Sequence, residues 1–247
     1  MTSIHIFGTK IHNLTMQETL DIIEEHIQNK KALHHTVVNA GKLVAMQNDE
    51  KLRQSVTQAD LINADGQAVV WASNWLGKPL KERVAGIDLM ENLVELSSQK
   101  NYRCFFFGAE ERVVVSMLEK YKKIFGEHII AGYRNGYFTS EEEIEIVQQI
   151  KNSNADILFV AMSSPLKENF LYTHREAFKN IPFIMGVGGS FDVVAGKVKR
   201  APKWMQKIGL EWLYRVIQEP KRMFKRYLVG NTKFLLLTFK EKFNKTS

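Results

Sequence analysis

Short runs of consecutive apolar residues alternate along the chain with longer stretches in which apolar positions recur every three or four residues. The runs are "HHTVVNA" (34–40), "DLINAD" (60–65), "YRCFFFGA" (102–109), "HIIAGYR" (128–134), "ADILFVAM" (155–162) and "IPFIMGV" (181–187). Their length, their β-branched and aromatic content, and the glycine or polar residues that close them predict strands. The stretches between them predict helices. In "TMQETLDIIEEHIQNK", Met16, Leu20, Ile23 and Ile27 recur at helical spacing, and "TSEEEIEIVQQIKNSN" opens with Thr139 or Ser140 as a cap ahead of acids in the first turn. This alternation predicts an α/β domain over residues 1–196 with a mainly parallel sheet flanked by helices.

The pattern changes after residue 196. "RAPKWMQKIGLEWLYRVIQEPKRMFKRY" (200–227) predicts a basic amphipathic helix, broken or kinked at Pro220. Arg215, Arg222 and Arg226 fall in one narrow stripe, with Trp212, Leu213, Phe224, Tyr227 and Leu228 as apolar and interfacial neighbours. Residues 197–247 therefore form a predicted helical appendage, and charge sharpens that boundary. The formal net charge is +7, but residues 197–247 hold 14 Lys and Arg against three acids, whereas residues 1–196 hold 20 against 24. A mildly acidic body with a strongly basic tail points to a localised anionic partner such as phosphate, nucleic acid or membrane headgroups; a solvated charged face is the plainer alternative. At an anionic bilayer, Trp and Tyr sit at headgroup depth and each nearby cation contributes about 1 kcal/mol. A terminal helix packed on the domain would bury the same aromatics but leave the aligned arginines without a task.

With 45% hydrophobic and 25% charged residues in 247, the chain has the composition of a folded globular body. "MTSIHIFGTK" lacks the charged-then-apolar pattern of a signal peptide, and "FLLLTF" (234–239) is too short to span a bilayer, so the expectation is a cytoplasmic protein. The single cysteine, Cys104, lies in an apolar run and reads as a buried, inert thiol.

Open α/β sheets bind ligands at the carboxyl ends of their strands. The residues found there are Asn39, Asp65–Gly66, Gly108, Ser163–Ser164–Pro165 and the turn "GVGGSFD" (186–192), which runs to Asp192. Gly186, Gly188 and Gly189 let backbone N–H groups approach a diphosphate, or serve only a tight turn. Phe191 stands where a dinucleotide fingerprint needs its third glycine and no acid follows about 20 residues on, which argues against a nicotinamide dehydrogenase. Asp65 reads either as a general base in a partly desolvated cleft or as the N-cap of the next helix, and Asn39 carries the same ambiguity. Arg83 suits a diphosphate or carboxylate, or an ordinary surface ion pair; Asp88 reads as a helix-start residue. The sequence has no D-x-D pair, no H-E-x-x-H, no cysteine pair and no GK[ST] loop. His34 and His35 alternate across a strand and read as half-buried sheet residues. A metal-independent reaction without a cofactor is expected.

Taken in order, "VVNAGKLV", "INADGQAVV", "ERVAGIDL", "FFFGAEE", "SSPLKE", "GVGGSFDVVAGKVKRAPKW" and "GLEWLYRVIQEPKRMFKRY" resemble the WecG/TagA/CpsF glycosyltransferases, glycosyltransferase family 26, over nearly the whole chain. The resemblance implies a Rossmann-like fold with a membrane-targeting appendage. It implies inverting transfer from a UDP-sugar to a hydroxyl of a polyprenyl-diphosphate-linked saccharide in exopolysaccharide, capsule or cell-wall polymer synthesis, at the cytoplasmic face of the membrane. Transfer of N-acetylmannosamine in teichoic acid or common antigen synthesis is the alternative, and UDP-glucose and UDP-N-acetylmannosamine both fit as donors. It also implies Asp65 as catalytic base, Asn39 and Arg83 in the same pocket, and Arg215, Arg222 and Arg226 as appendage arginines that approach it. Two positions depart from the family pattern: Val37 stands where threonine is usual, and Lys167 where glutamine is usual. A lysine at position 167 would pair with the diphosphate or with a carboxylate on an acidic donor sugar. A nucleic-acid-binding module and a catalytically silent membrane-binding protein are the rivals from other classes; neither gives Asp65 a role, nucleic acid is not an expected partner, and a homo-oligomer is compatible with the chain.

Overall fold

The computed structural model describes residues 1–218 and 220–244, and for residues 207, 222–227 and 244 the backbone path alone. A hairpin of β1 (Ser3–Ile6) and β2 (Thr9–His12) leads into α1 (Met16–Gln28), and β3 (Leu33–Val38) is followed by α2 (Ala40–Ala45) and α3 (Glu50–Thr57). Next come β4 (Leu61–Ala64), α4 (Gln67–Trp75), α5 (Gly86–Lys100), β5 (Cys104–Gly108), α6 (Glu111–Phe125), a 3₁₀ turn (Glu127–Ile129) and β6 (Ile130–Arg134). The body closes with α7 (Glu142–Lys151), β7 (Ile157–Ala161), α8 (Leu166–Thr173), β8 (Phe183–Gly186) and α9 (Ser190–Ala195). Then follow α10 (Lys203–Lys207), α11 (Glu211–Gln218) and α12 (Pro220–Asn244).

All six predicted strands are present and form one sheet in the order β4-β3-β8-β7-β5-β6, with every neighbouring pair parallel. Such a sheet is covered on both faces, which is why its strands read as unbroken apolar runs. Alternation sorts the side chains. Cys104, Phe106, Ile157, Phe159 and Met185 pack on one face with α1, α5, α6 and α9. Phe105, Phe107, Leu158, Val160 and Ile184 point to the other, towards α7 and α8. Parallel register carries Val38, Ile62 and Ala64 onto that second face, where they meet α2, α3 and α4. The helices after β3 and β8, adjacent strands, thus leave on opposite faces and open a crevice at the carboxyl edge.

Four expectations are corrected. The hairpin β1–β2 is additional: its strands are only four residues each, too short for a periodicity, and its turn uses Phe7 and Gly8 at positive φ. Neither Thr139 nor Ser140 caps α7 with its side chain; the Thr139 N–H instead donates to the Glu142 carboxylate at 2.8 Å. His34 and His35 are buried rather than half-buried, with pKa values pushed down to about 4 and about 3 by desolvation. The segment from 200 to 227 breaks at Gly209, ahead of the break or kink expected at Pro220, which falls next to a residue outside the described ones. Gly209 has φ +72°, and a Cβ there would lie 2.6 Å from Gln67 Cγ, so the chain turns against α4 where only glycine fits.

The end of α12 returns to the body. Phe234, 3% exposed, packs edge-on against the Phe7 ring, and Thr238 is buried beside it. The Glu241 carboxylate accepts from the Phe7 N–H at 2.5 Å and from Lys78 Nζ at 3.0 Å.

Candidate active site

Asp65 sits one step past β4. Its N–H donates to the Val38 carbonyl at 2.9 Å, extending the β3–β4 ladder and placing it beside Asn39. The N-cap of α4 is Gly66, without a side-chain cap, so Asp65 does not cap that helix. Its Oδ1 accepts instead from the Gly86 N–H at 3.2 Å, at the start of α5, and the residue is half-buried. The loop before α5 crosses the tip of β4 through a Val84 N–H to Ala64 carbonyl bond of 2.9 Å, which brings Arg83 to the same edge. Asn39 does act as a cap: its Oδ1 accepts from the Lys42 N–H at 3.0 Å, starting α2. The carboxylate and the amide that looked alike in sequence therefore differ in local bonding.

Across the crevice, Gly186 ends β8 and Gly188 turns the chain at φ +56° into α9, with Gly189 as its cap. Asp192 lies in the first turn of α9, half-buried, with its carboxylate 3.4 Å from Lys197 Nζ. Lys167 reaches this edge from α8. Its stem lies over Gly186, where a Cβ would stand 3.0 Å from Lys167 Cδ. The sequence places Lys167 in a turn open to ligand; the structure buries it, with its ammonium 2.7 Å from Glu168. Glu168 is shared with Lys42, also at 2.7 Å, and Lys42 Nζ donates to the Val37 carbonyl at 2.5 Å. Burial pushes the Glu168 pKa up, but the two ammonium groups outweigh it and hold the carboxyl at about 2. This buried group of two lysines and one carboxylate ties the ends of β3, β7 and β8 together. Val37 and Lys167, the two departures from the family pattern, both border it.

Arg83 is engaged from the appendage: its Nη2 lies 2.8 Å from Glu211, the first residue of α11. The same carboxylate stands 3.5 Å from Arg200 and 3.8 Å from Arg215. Arg200 in turn holds Asp88 on α5 with both terminal nitrogens. Arg215 thus reaches the neighbourhood of Arg83, whereas the side chains of Arg222 and Arg226 lie outside the described residues. Glu211, Arg200, Lys42 and Glu168 were not singled out in the sequence. Glu211 had a usable signal, being one of three acids in a strongly basic segment; the pairing of Lys42 with Glu168 spans 126 positions and leaves no local trace. Among the described residues, no three His, Cys, Asp or Glu side chains converge on a common point.

The carboxyl edge of the parallel sheet, where such folds bind their ligands, thus gathers an acid, several cations and a glycine turn. The chain belongs to the WecG/TagA/CpsF family of glycosyl transferases, whose model matches residues 4–247. It is similar to the N-acetylglucosaminyldiphosphoundecaprenol N-acetyl-beta-D-mannosaminyltransferase of Bacillus spizizenii, with 39% identity over 79% of this chain and 74% of the relative. The protein of that name in Bacillus subtilis strain 168 is 34% identical over 95% of this chain and 92% of its own, and that of Staphylococcus aureus strain MW2 31% over 89% and 86%. The chain is thus a glycosyltransferase.

Proposed function

We propose that the chain transfers an N-acetylmannosaminyl residue from its UDP derivative to a hydroxyl of N-acetylglucosaminyl-diphosphoundecaprenol, in a single inverting, metal-independent displacement. The names of the relatives favour this donor and acceptor over the broader reading of a hexosyl transfer in exopolysaccharide synthesis. In the displacement, the acceptor oxygen forms a bond to the anomeric carbon as the bond from that carbon to the UDP oxygen breaks. The hydroxyl proton passes to Asp65, and charge accumulates on the departing diphosphate. Fixed donors around that charge lower the barrier. Arg83, Arg215 and the backbone N–H groups of the 186–190 turn are the groups that fill this role.

The observation that carries the reading is the setting of Asp65. It stands at a strand tip, released from capping, with one carboxylate oxygen held by the Gly86 N–H and the other without a hydrogen-bond partner among the described residues, where it can accept a proton. The appendage supports a position at the membrane surface. Trp204, Ile208, Trp212 and Ile217 are exposed on α10 and α11 amid lysines and arginines, and no helix among the described residues is long and apolar enough to cross a bilayer. Such a protein meets a lipid-linked acceptor at the cytoplasmic face.

The test is UDP release from UDP-N-acetylmannosamine and UDP-glucose, with the acceptor presented in anionic vesicles. UDP-N-acetylmannosamine is expected to be the better donor, and Asp65→Asn to lower kcat about 10²- to 10⁴-fold while leaving UDP affinity in place. A near-normal Asp65→Asn rate would move the base elsewhere, and preference for UDP-glucose would overturn the donor assignment.

A further inference from the structure

Where the body meets the appendage, three guanidinium groups among the described residues share the Glu211 carboxylate. Arg83, Arg200 and Arg215 surround Glu211, and among the described residues Asp88 adds a second carboxylate in contact, on Arg200. The Nε atoms of Arg83 and Arg200 are buried and make no hydrogen bond among the described residues, Arg200 Nε facing Glu211 Oε1 only at 3.5 Å. Such orphaned donors are costly, and here they point to an anion with more oxygens than one carboxylate offers. Glu91, on the exposed side of α5 near Arg200 and Asp88, adds charge at longer range; desolvation raises its pKa.

We propose that Glu211 is an internal anion that latches the appendage onto Arg83 and Arg200 and is displaced there by a substrate diphosphate. The inference rests on the proposed transfer reaction, because it takes Arg83 to face the diphosphate. A diphosphate offers planar-matched oxygens to several guanidinium groups at once, which a single carboxylate cannot do. With Glu211 in place, the binding-competent arrangement is a minor population, and ligand affinity is reduced by that fraction. Both the sugar donor and the lipid-linked acceptor carry a diphosphate, so either can act as the key.

The experiment is calorimetric titration of the full chain and of Glu211→Gln with UDP and, separately, with farnesyl diphosphate in detergent. Glu211→Gln keeps the side-chain shape and is expected to bind at least one of the two about tenfold more tightly. A gain confined to UDP assigns the latch to the donor; a gain with farnesyl diphosphate assigns it to the acceptor. A change of net charge alone would also raise anion affinity, so the cycle is closed with Arg83→Met. If Glu211 competes for Arg83, the gain falls below about twofold in that background; a gain that persists overturns the latch. Equal affinities in the full chain and Glu211→Gln overturn it and leave the transfer reading standing, whereas no diphosphate binding by either protein overturns both.

Discussion

The carboxyl edge of the sheet and the C-terminal appendage both carry cations towards one crevice, but they are held there differently. At the sheet edge, Lys42, Lys167 and Glu168 are at most 7% exposed and are enclosed by strand ends and helix starts that the sheet register dictates. The appendage meets the body through ion pairs of Lys197, Arg200, Glu211 and Glu241, through the docked ring of Phe234 and through the packing of Phe239 on Trp75. Its aromatic side chains Trp204 and Phe243 remain well exposed. Burial of charge makes the first region all-or-none, because an ion deprived of its partner there has no water to turn to. The ion pairs around Glu211 are partly solvated, so breaking them costs less than breaking the enclosed cluster. An enclosed ion cluster and a partly exposed set of ion pairs are therefore two kinds of packing in one chain.

The sharpest way to break this contrast is Glu168→Gln, which leaves two ammonium groups buried without their carboxylate. It should cost about 3–5 kcal/mol of global stability in denaturant unfolding; a loss below 1 kcal/mol would show that the cluster is hydrated. Acid offers the next largest effect. Burial depresses the folded pKa of His34 to about 4 and of His35 to about 3, below an unfolded value near 6.5, so their contribution is fully present above pH 6.5 and is lost as pH falls towards 4 and 3. Glu168, with a folded pKa near 2, adds a loss of the same sign below pH 4.5. His34 alone accounts for a change on the order of 3 kcal/mol by pH 4, and a flat stability profile between pH 7 and pH 5 would contradict the burial of both imidazoles. The smallest effect is expected at the appendage. Glu241→Gln weakens the bonds to Lys78 and the Phe7 N–H and should reduce the docking of α12 by about 1.5–3 kcal/mol. Hydrogen exchange of α12 amides would rise while the denaturation midpoint of the body stays in place; a matching fall in that midpoint would make the two regions one cooperative unit.

Much of the frame was legible because it rests on local rules. Consecutive apolar residues between turn signals can only be buried strands or short helices, and their length decided for strands; β3 to β8 follow from that alone. The polar residues that end those strands were legible as a group for the same reason, so Asn39, Asp65 and the 186–192 turn were found before the fold was known. Which of two equivalent-looking polar residues serves as a cap was not legible. Asn39 caps α2 and Asp65 does not cap α4, a difference set by a bond from Gly86, 21 positions away. The hairpin β1–β2 escaped notice because four residues carry no period, and Lys167 read as exposed because a turn signal says nothing about what folds over it.

Periodicity, turn chemistry and charge distribution along the chain therefore determined the α/β architecture, the strand-edge residues and the basic segment after residue 196. Tertiary structure alone decided that Lys42 and Lys167 share Glu168, that Glu211 closes on Arg83 and Arg200, and that α12 folds back onto the N-terminal hairpin. The reason is one of range. Helix and strand periods are written over a few neighbouring residues, whereas an ion pair across 126 or 128 positions exists only once the sheet register has brought its partners together.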